Sequence, residues 1–137
     1  MMFKITTVLE RMADHAVNIA ESSLSLIDLP SIVLGAIPEM AEVSKSMLKD
    51  SIDAYVNEDP GLAQKILERD NTVDNFKASI TKELIRQACS DCTAVEPAIQ
   101  LLIIARNLER IADLSTNIGE DVIFMVEGKV VKHQSFA

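Results

Sequence analysis

The sequence predicts an all-α protein folded as an antiparallel four-helix bundle. Its 137 residues are 48% hydrophobic but only 4% aromatic, with no Trp, so Leu, Ile, Val, Met and Ala must build the core. That composition favours helices. Apolar residues recur at heptad spacing in four segments, and no stretch alternates apolar and polar residues long enough to indicate a sheet. A chain of this length fits a single domain, residues 1–137.

The first predicted helix, segment A, covers residues 3–28. Two rows of apolar or small residues follow it at heptad spacing, which is typical of a helix packed in a bundle. The rows consist of Met2, Leu9, Ala16 and Ser23, and of Ile5, Met12, Ile19 and Leu26. We expect the helix to end before Pro30.

The second and third predicted helices, segments B and C, are joined by a short turn. Segment B begins near Pro38, a residue suited to a first helical turn, and ends at the polar stretch 57–61. Segment C covers residues 60–88. Because the turn between them is short, the two helices should be antiparallel neighbours.

Segment D, residues 94–127, is the longest predicted helix. It carries the same two heptad rows as segment A, with Leu101 and Leu108 in one row and Ile104 and Ile111 in the other. We expect Gly128 to end it, since glycine is common just after a helix.

The charge and the apolar stretches limit the classes of partner and location. A net charge of −8 argues against a nucleic-acid partner, because a polyphosphate needs clustered Lys and Arg. The longest uncharged stretches, 29–38 and 97–105, are shorter than the roughly 18–20 residues that cross a bilayer. No signal-peptide pattern opens the sequence, so we expect a cytoplasmic protein.

Motifs for redox or catalytic chemistry are weak. Cys89 and Cys92 have the spacing of a redox pair or half a zinc site, but no second such pair or nearby His completes four ligands, which favours two ordinary thiols. Neither His15 nor His133 has a Glu three positions before it, as di-iron bundles require. We therefore predict that the protein is not an enzyme.

An internal repeat is the most informative feature of the sequence. A shift of 99 positions superposes residues 9–14 on residues 108–113, and the match extends to Glu21 and Glu120. Segments A and D also share their core rows. Duplication explains this similarity better than chance.

The repeat carries pairs of carboxylates four residues apart. On a helix this spacing puts both side chains on one face, where like charges repel each other and favour a compensating cation. Three pairs have this spacing: Glu10 and Asp14, Asp70 and Asp74, and Glu109 and Asp113. Four carboxylates on adjacent helices, with Asn117 as a further oxygen donor, could bind a hard cation on the bundle surface or in a groove between helices.

A simpler interpretation of these pairs stays open. Acidic pairs are common on solvated helix faces, and Arg11 and Arg110 could neutralise the carboxylates locally. Asp50, among the apolar residues of segment B, is either a member of such a site or a polar group with a partner of its own.

Several stretches of the sequence resemble the PhoU family, and together they cover nearly the whole chain. The resemblance identifies residues 3–28 as the last helix of a first repeat and residues 36–128 as a complete three-helix second repeat. A small departure is Ala13 and Ala112, where the family often has Gly before the Asp. The stretches that carry the resemblance are 9–21, 47–55, 68–74, 105–113 and 126–133.

The resemblance implies a metal site. PhoU proteins bind multinuclear metal clusters on the bundle surface through E/D-x-x-x-D motifs, so iron, zinc or another divalent metal is expected. Carried over to this sequence, the ligands are Asp70, Asp74, Glu109 and Asp113. Glu10 and Asp14 form the corresponding half-site of the first repeat, but the helices that should face them are missing.

The resemblance also implies a function without catalysis. Family members regulate phosphate uptake negatively, as adaptors between a phosphate ABC transporter and a phosphate-sensing histidine kinase at the inner face of the membrane. Two alternatives stay open. One is a structural interaction domain without metal, in which the apolar face of segment A forms a homodimer. The other is the regulatory tail of a sodium–phosphate cotransporter.

Overall fold

The structure, a computed structural model, describes residues 2–135 and the side chains of residues 5–128. All regular elements in this part of the chain are helical, with no strand, which confirms the predicted fold class. The α-helices are α1 (Met2–Ser25), α2 (Ile37–Asn57), α3 (Pro60–Glu68), α4 (Asp70–Ser90) and α5 (Val95–Ser135). Short 3₁₀ turns follow α1 at Leu26–Asp28 and precede α5 at Cys92–Ala94.

Helix α5 forms the centre of the bundle, since each of the other helices packs against it. The heptad rows predicted for segment D lie at these contacts. Each large apolar side chain buried there stabilises the fold by about 1.5–3 kcal/mol relative to an exposed one. Fully buried side chains from α2, α3, α4 and α5 meet in this core, among them Met40, Met47, Ile66, Ile80, Leu84, Leu101 and Ile118.

The turn between α2 and α3 forms as the sequence predicts. Glu58 takes a left-handed conformation with φ of 49°, which ends α2. The Asp59 carboxylate then accepts a hydrogen bond from the backbone N–H of Leu62 at 3.1 Å and caps α3. Before α2, the connecting segment is held to α4 by Gln87, whose side chain forms two hydrogen bonds of 3.1 Å with the backbone of Val33.

The prediction of one helix over residues 60–88 is wrong, because the chain breaks at Arg69 into α3 and α4. No Pro or Gly marks this break. The Arg69 backbone N–H bonds to the carbonyl of Ile66 in a tighter turn, and the Arg69 side chain reaches α2, where it pairs with Asp50 at 2.5 Å. This cross-helix pairing accompanies the kink, and Asp70 becomes the first residue of α4.

The predicted end at Gly128 is also wrong, since α5 continues to Ser135. Gly128 does not adopt the positive φ that would cap a helix. A single glycine inside a helix costs only about 1 kcal/mol relative to alanine, which the long helix tolerates.

Helix α1 packs antiparallel to α5 through Val8 and Met12, both buried. A polar contact adds to this packing. His15 Nδ1–H and Asn18 Nδ2–H both donate to Asn107 Oδ1, at 2.9 and 3.1 Å. Because Asn107 is buried, these bonds fix how α1 lies along α5.

Among the described helices, none combines the length and the hydrophobicity that a membrane span requires.

Candidate metal centre

The carboxylates predicted from the second repeat meet where α4 begins beside the middle of α5. Asp70 opens α4 and is half-buried, and Asp74 lies exposed one turn further along. Glu109, which is half-buried, and Asp113, which is exposed, face them from α5. The structure thus brings together the two pairs that the sequence placed on separate helices.

Asp70 is the most unusual member of this group. Its Oδ1 atom is buried and has no hydrogen-bond partner. Burial raises the pKa of its carboxyl, and the negative charges of Asp74, Glu109 and Glu120 raise this pKa further. A buried, unpaired carboxylate oxygen costs free energy, so an additional cation here would stabilise the protein.

Asp113 is subject to the same repulsion. Burial raises the pKa of its carboxyl, and the charges of Asp70, Glu109 and Asp74 raise it further, while the neighbouring Arg110 opposes the effect. For both carboxyls burial is the larger cause of the raised pKa, and the charges of the carboxylates across the groove between α4 and α5 add to it.

Glu120 is a member that the sequence analysis did not assign. It is exposed on α5, and its charge contributes to the raised pKa of Asp70. The repeat contained the signal, since Glu120 matches Glu21 and follows Asp113 by two helical turns on the same face. Asp70, Asp74, Glu109, Asp113 and Glu120 together are called the acidic cluster below.

Local cations compensate only part of this charge. Lys77 on α4 donates from Nζ to Glu109 Oε1 at 3.3 Å, and Arg110 lies near Asp113. Arg69, although it precedes Asp70 directly, pairs with Asp50 and Ser46 of α2. Asp50 is therefore a polar group with its own partner and lies outside the acidic cluster.

The carboxylates of the acidic cluster are suitable ligands for a hard cation, but their oxygens do not converge on a single point. Among the described side chains, no three His, Cys, Asp or Glu residues are close enough to hold an ion as they stand. Asp74, Asp113 and Glu120 are exposed and free to change rotamer, while Asp70 presents an oxygen without a partner. Carboxylate oxygens in this number suit divalent or trivalent metals.

Glu10 and Asp14 are not brought into the cluster. Both are exposed on α1, which packs against α5 rather than beside α4. Their role as metal ligands stays a prediction. Cys89 and Cys92 are free, exposed thiols at the end of α4 and in the following turn.

We expect the carboxyls of Asp70 and Asp113 to make the metal-free protein less stable as the pH rises from about 4 towards neutral. Both carboxyls have pKa values above the ordinary 3.8, so the folded state holds their protons more tightly than the unfolded state. Their contribution to the free energy of unfolding is fully present below the pKa that they have in the unfolded chain. It is lost as the pH rises through the pKa that they have in the folded chain. Urea denaturation in the presence of a chelator, repeated across this pH range, measures the change in the free energy of unfolding.

The double variant Asp70→Asn with Asp113→Asn should flatten this part of the pH dependence. Asp91→Asn is the matched control, because hydrogen bonds from Thr93 lower the pKa of Asp91, so its stability contribution has the opposite sign. Identical pH profiles for the wild type and the double variant would show that burial and the neighbouring charges do not raise the pKa of these two carboxyls as described.

Comparison with known proteins shows that the chain is similar to phosphate-transport accessory proteins. A family model described as PhoU domain matches residues 37–122. The chain is 38% identical, over 97% of its length, to the phosphate-specific transport system accessory protein PhoU homolog of Aquifex aeolicus, and covers 61% of that protein. It is 39% identical to the homolog of the same name from Zymomonas mobilis, covering 92% of this chain and 54% of that protein.

Two solved structures have the same arrangement of helices. The crystal structure of PhoU from Pseudomonas aeruginosa superposes with a TM-score of 0.84 at 28% identity, over 91% of this chain and 61% of that one. The crystal structure of the phosphate transport system regulatory protein PhoU from Streptococcus pneumoniae superposes with a TM-score of 0.80 at 30% identity, over 89% of this chain and 58% of that one. The chain therefore spans about three fifths of the length of these relatives.

Proposed function

The chain belongs to the PhoU family, and on this premise we propose that it is a non-enzymatic regulator of phosphate uptake and phosphate homeostasis. The observation that carries the proposal is similarity to phosphate-transport accessory proteins along nearly the whole chain, 97% of it in one case. The family match includes both helices of the acidic cluster, so the similarity covers the site as well as the fold.

We propose that the protein acts as an adaptor between a phosphate ABC transporter and a phosphate-sensing histidine kinase, from the cytoplasmic side of the inner membrane. The names of the relatives, accessory proteins of a phosphate-specific transport system, support the first partner. The net charge of −8 suits contact with basic protein surfaces and disfavours nucleic acid.

The acidic cluster is proposed to bind iron, zinc or another divalent metal. Asp70, Asp74, Glu109 and Asp113 would supply the oxygens, with Glu120 as a further donor. A metal there would neutralise carboxylates that now repel each other and would satisfy the buried Asp70 Oδ1. Because the ligands come from α4 and α5, the metal would stiffen the start of α4 against the central helix.

A bacterial strain without its own PhoU gene provides the test. With ample phosphate, expression of this chain should lower the rate of phosphate uptake several-fold compared with the empty vector. A complete relative, such as the Zymomonas mobilis homolog, is the positive control. If that control restores regulation and this chain leaves uptake unchanged, the proposed function is wrong for the chain as given.

The homodimer stays a prediction, and the observation in its favour is the uncovered apolar face of α1, where Val17 and Leu24 are 55% and 65% exposed. Sedimentation equilibrium at micromolar concentration would separate a dimer from a monomer. A stable monomer would leave the regulatory proposal intact and remove the homodimer.

A further inference from the structure

Two arginines line a groove between α1 and α5. Arg11 reaches it from α1 and Arg110 from α5, and the groove has a volume of about 390 Å³. Cavities of this size hold small ligands, and two guanidinium groups from different walls favour an anionic one. The other residues that line the groove are His15, Asp113, Leu114 and Asn117.

The internal repeat explains why the two arginines meet. Arg110 lies 99 positions after Arg11, so the two are equivalent residues of equivalent helices. Because α1 and α5 pack antiparallel, equivalent positions beside their contact face the same groove. The contact itself is held by His15 and Asn18, which both donate to Asn107 Oδ1, at 2.9 and 3.1 Å. The groove is therefore built by ordered helices and not by a loop.

The exposure of this groove does not follow from where the sequence begins. Helices α2, α3 and α4 all pack against α5, and Arg110 is still exposed. Helix α3 lies so close to α5 that a Cβ on Gly119 would be 3.3 Å from the Ala63 carbonyl oxygen. Gly119 and Arg110 are on opposite sides of α5, because they are about two and a half helical turns apart. Helices that covered α1 in the same way would leave Arg11 open as well.

The arginines of the groove are not neutralised by local partners. Neither Arg11 nor Arg110 forms an ion pair within 4 Å, or a hydrogen bond, with a described side chain. Arg106, one turn before Arg110 on the same face of α5, is also exposed. Asp113 lies near Arg110 and brings a carboxylate to the groove. Positive charge thus exceeds negative charge among the lining residues, on a chain whose net charge is −8.

The lining side chains suit an oxyanion that carries a proton. Guanidinium groups donate several N–H bonds to the oxygens of such an anion, often two at a time. Asn117 adds an amide that can donate. The Asp113 carboxylate repels a fully deprotonated anion such as sulfate, but it can accept a hydrogen bond from hydrogenphosphate, which keeps one proton at neutral pH. The groove therefore favours phosphate over sulfate.

We propose that the groove between α1 and α5 binds inorganic phosphate, with Arg11 and Arg110 donating to its oxygens and Asp113 accepting from its hydroxyl. The proposal does not rest on the regulation of phosphate uptake, because the arginines, the carboxylate and the shape of the groove carry it. Asp113 also belongs to the acidic cluster, so the groove and the proposed metal site share one side chain.

NMR titration of the isotope-labelled, metal-free chain with phosphate tests the proposal. A chelator is present, so that phosphate cannot bind through a metal at the acidic cluster, and the ionic strength is constant. The side-chain N–H signals of Arg11 and Arg110 should shift together and saturate with one dissociation constant, on the order of 1 mM or below. Sulfate should bind at least about tenfold more weakly. Shifts that do not saturate, or that avoid both arginines, would overturn the proposal.

Arg11→Gln and Arg110→Gln should each weaken phosphate binding at least about tenfold, since each removes a charged hydrogen-bond donor. Arg86→Gln is the matched control, because it removes the same charge from an exposed arginine of α4 that lies beside the start of α5. This control should bind phosphate as the wild type does. Equal losses in all three variants would mean that only the net charge matters and would overturn the assigned site. Circular dichroism checks that the variants fold.

Asp113→Asn tests the role of the carboxylate. The ratio of phosphate to sulfate affinity should fall to about one, because an amide can donate to either anion. An unchanged ratio would contradict the hydrogen bond to Asp113. A phosphate monoester such as glycerol phosphate, which has lost its last proton at slightly alkaline pH, should bind the wild type as weakly as sulfate. Tighter binding of the monoester than of phosphate would overturn inorganic phosphate as the ligand.

Discussion

Zn²⁺ added to the metal-free chain is expected to raise its free energy of unfolding by about 2.7 kcal/mol when free metal reaches about one hundred times its dissociation constant. The physical reason is that the folded chain assembles the acidic cluster from α4 and α5, and the unfolded chain does not. The midpoint of thermal unfolding should rise by roughly 8 °C. Differential scanning calorimetry at neutral pH measures both quantities.

The variant with Asp74→Asn and Asp113→Asn should lose most of this stabilisation, because it removes one exposed carboxylate from each helix of the site. A matched control carries Glu42→Gln and Glu68→Gln, two exposed carboxylates outside the cluster, and should keep the full effect. An equal response to Zn²⁺ in the site variant and the control would mean that the metal binds elsewhere.

Leu101→Ala should lower the free energy of unfolding by about 3 kcal/mol, because it leaves a cavity in the core around α5. Leu101 is 1% exposed and belongs to the main apolar cluster. Ile103→Ala, two residues further along the same helix, is the control. Ile103 is 37% exposed, so its loss should cost less than about 1 kcal/mol.

Chemical denaturation of the two variants separates buried from exposed positions on α5. Similar losses for Leu101→Ala and Ile103→Ala would contradict the arrangement in which α5 is the central helix with one open side.

The heptad rows predicted the bundle because apolar spacing records which side of a helix is buried. The rows of segment D lie at the contacts of α5, and the chain turns from α2 into α3 within residues 57–61, as expected. The break at Arg69 was not predictable from local sequence. It involves no Pro or Gly and goes with pairing of Arg69 to Asp50, a contact between helices that spacing along one helix does not reveal.

Four of the five members of the acidic cluster were predictable from the sequence, whereas the buried, unpaired oxygen of Asp70 was not. Spacing identified Asp70, Asp74, Glu109 and Asp113, since carboxylates four residues apart share a helix face. The buried Asp70 Oδ1 without a partner depends on how α4 starts beside α5. Spacing does not identify Glu120, because neither residue four positions from it, Thr116 or Phe124, is acidic, although the repeat aligns it with Glu21.

The metal content of protein purified without chelator tests the central claim, that the repeated carboxylates form a metal centre on α4 and α5. Elemental analysis should find at least about one iron, zinc or similar ion per chain. The variant with Asp74→Asn and Asp113→Asn should have lost it. Absence of stoichiometric metal from the wild type, or a content unchanged in the variant, would contradict the claim.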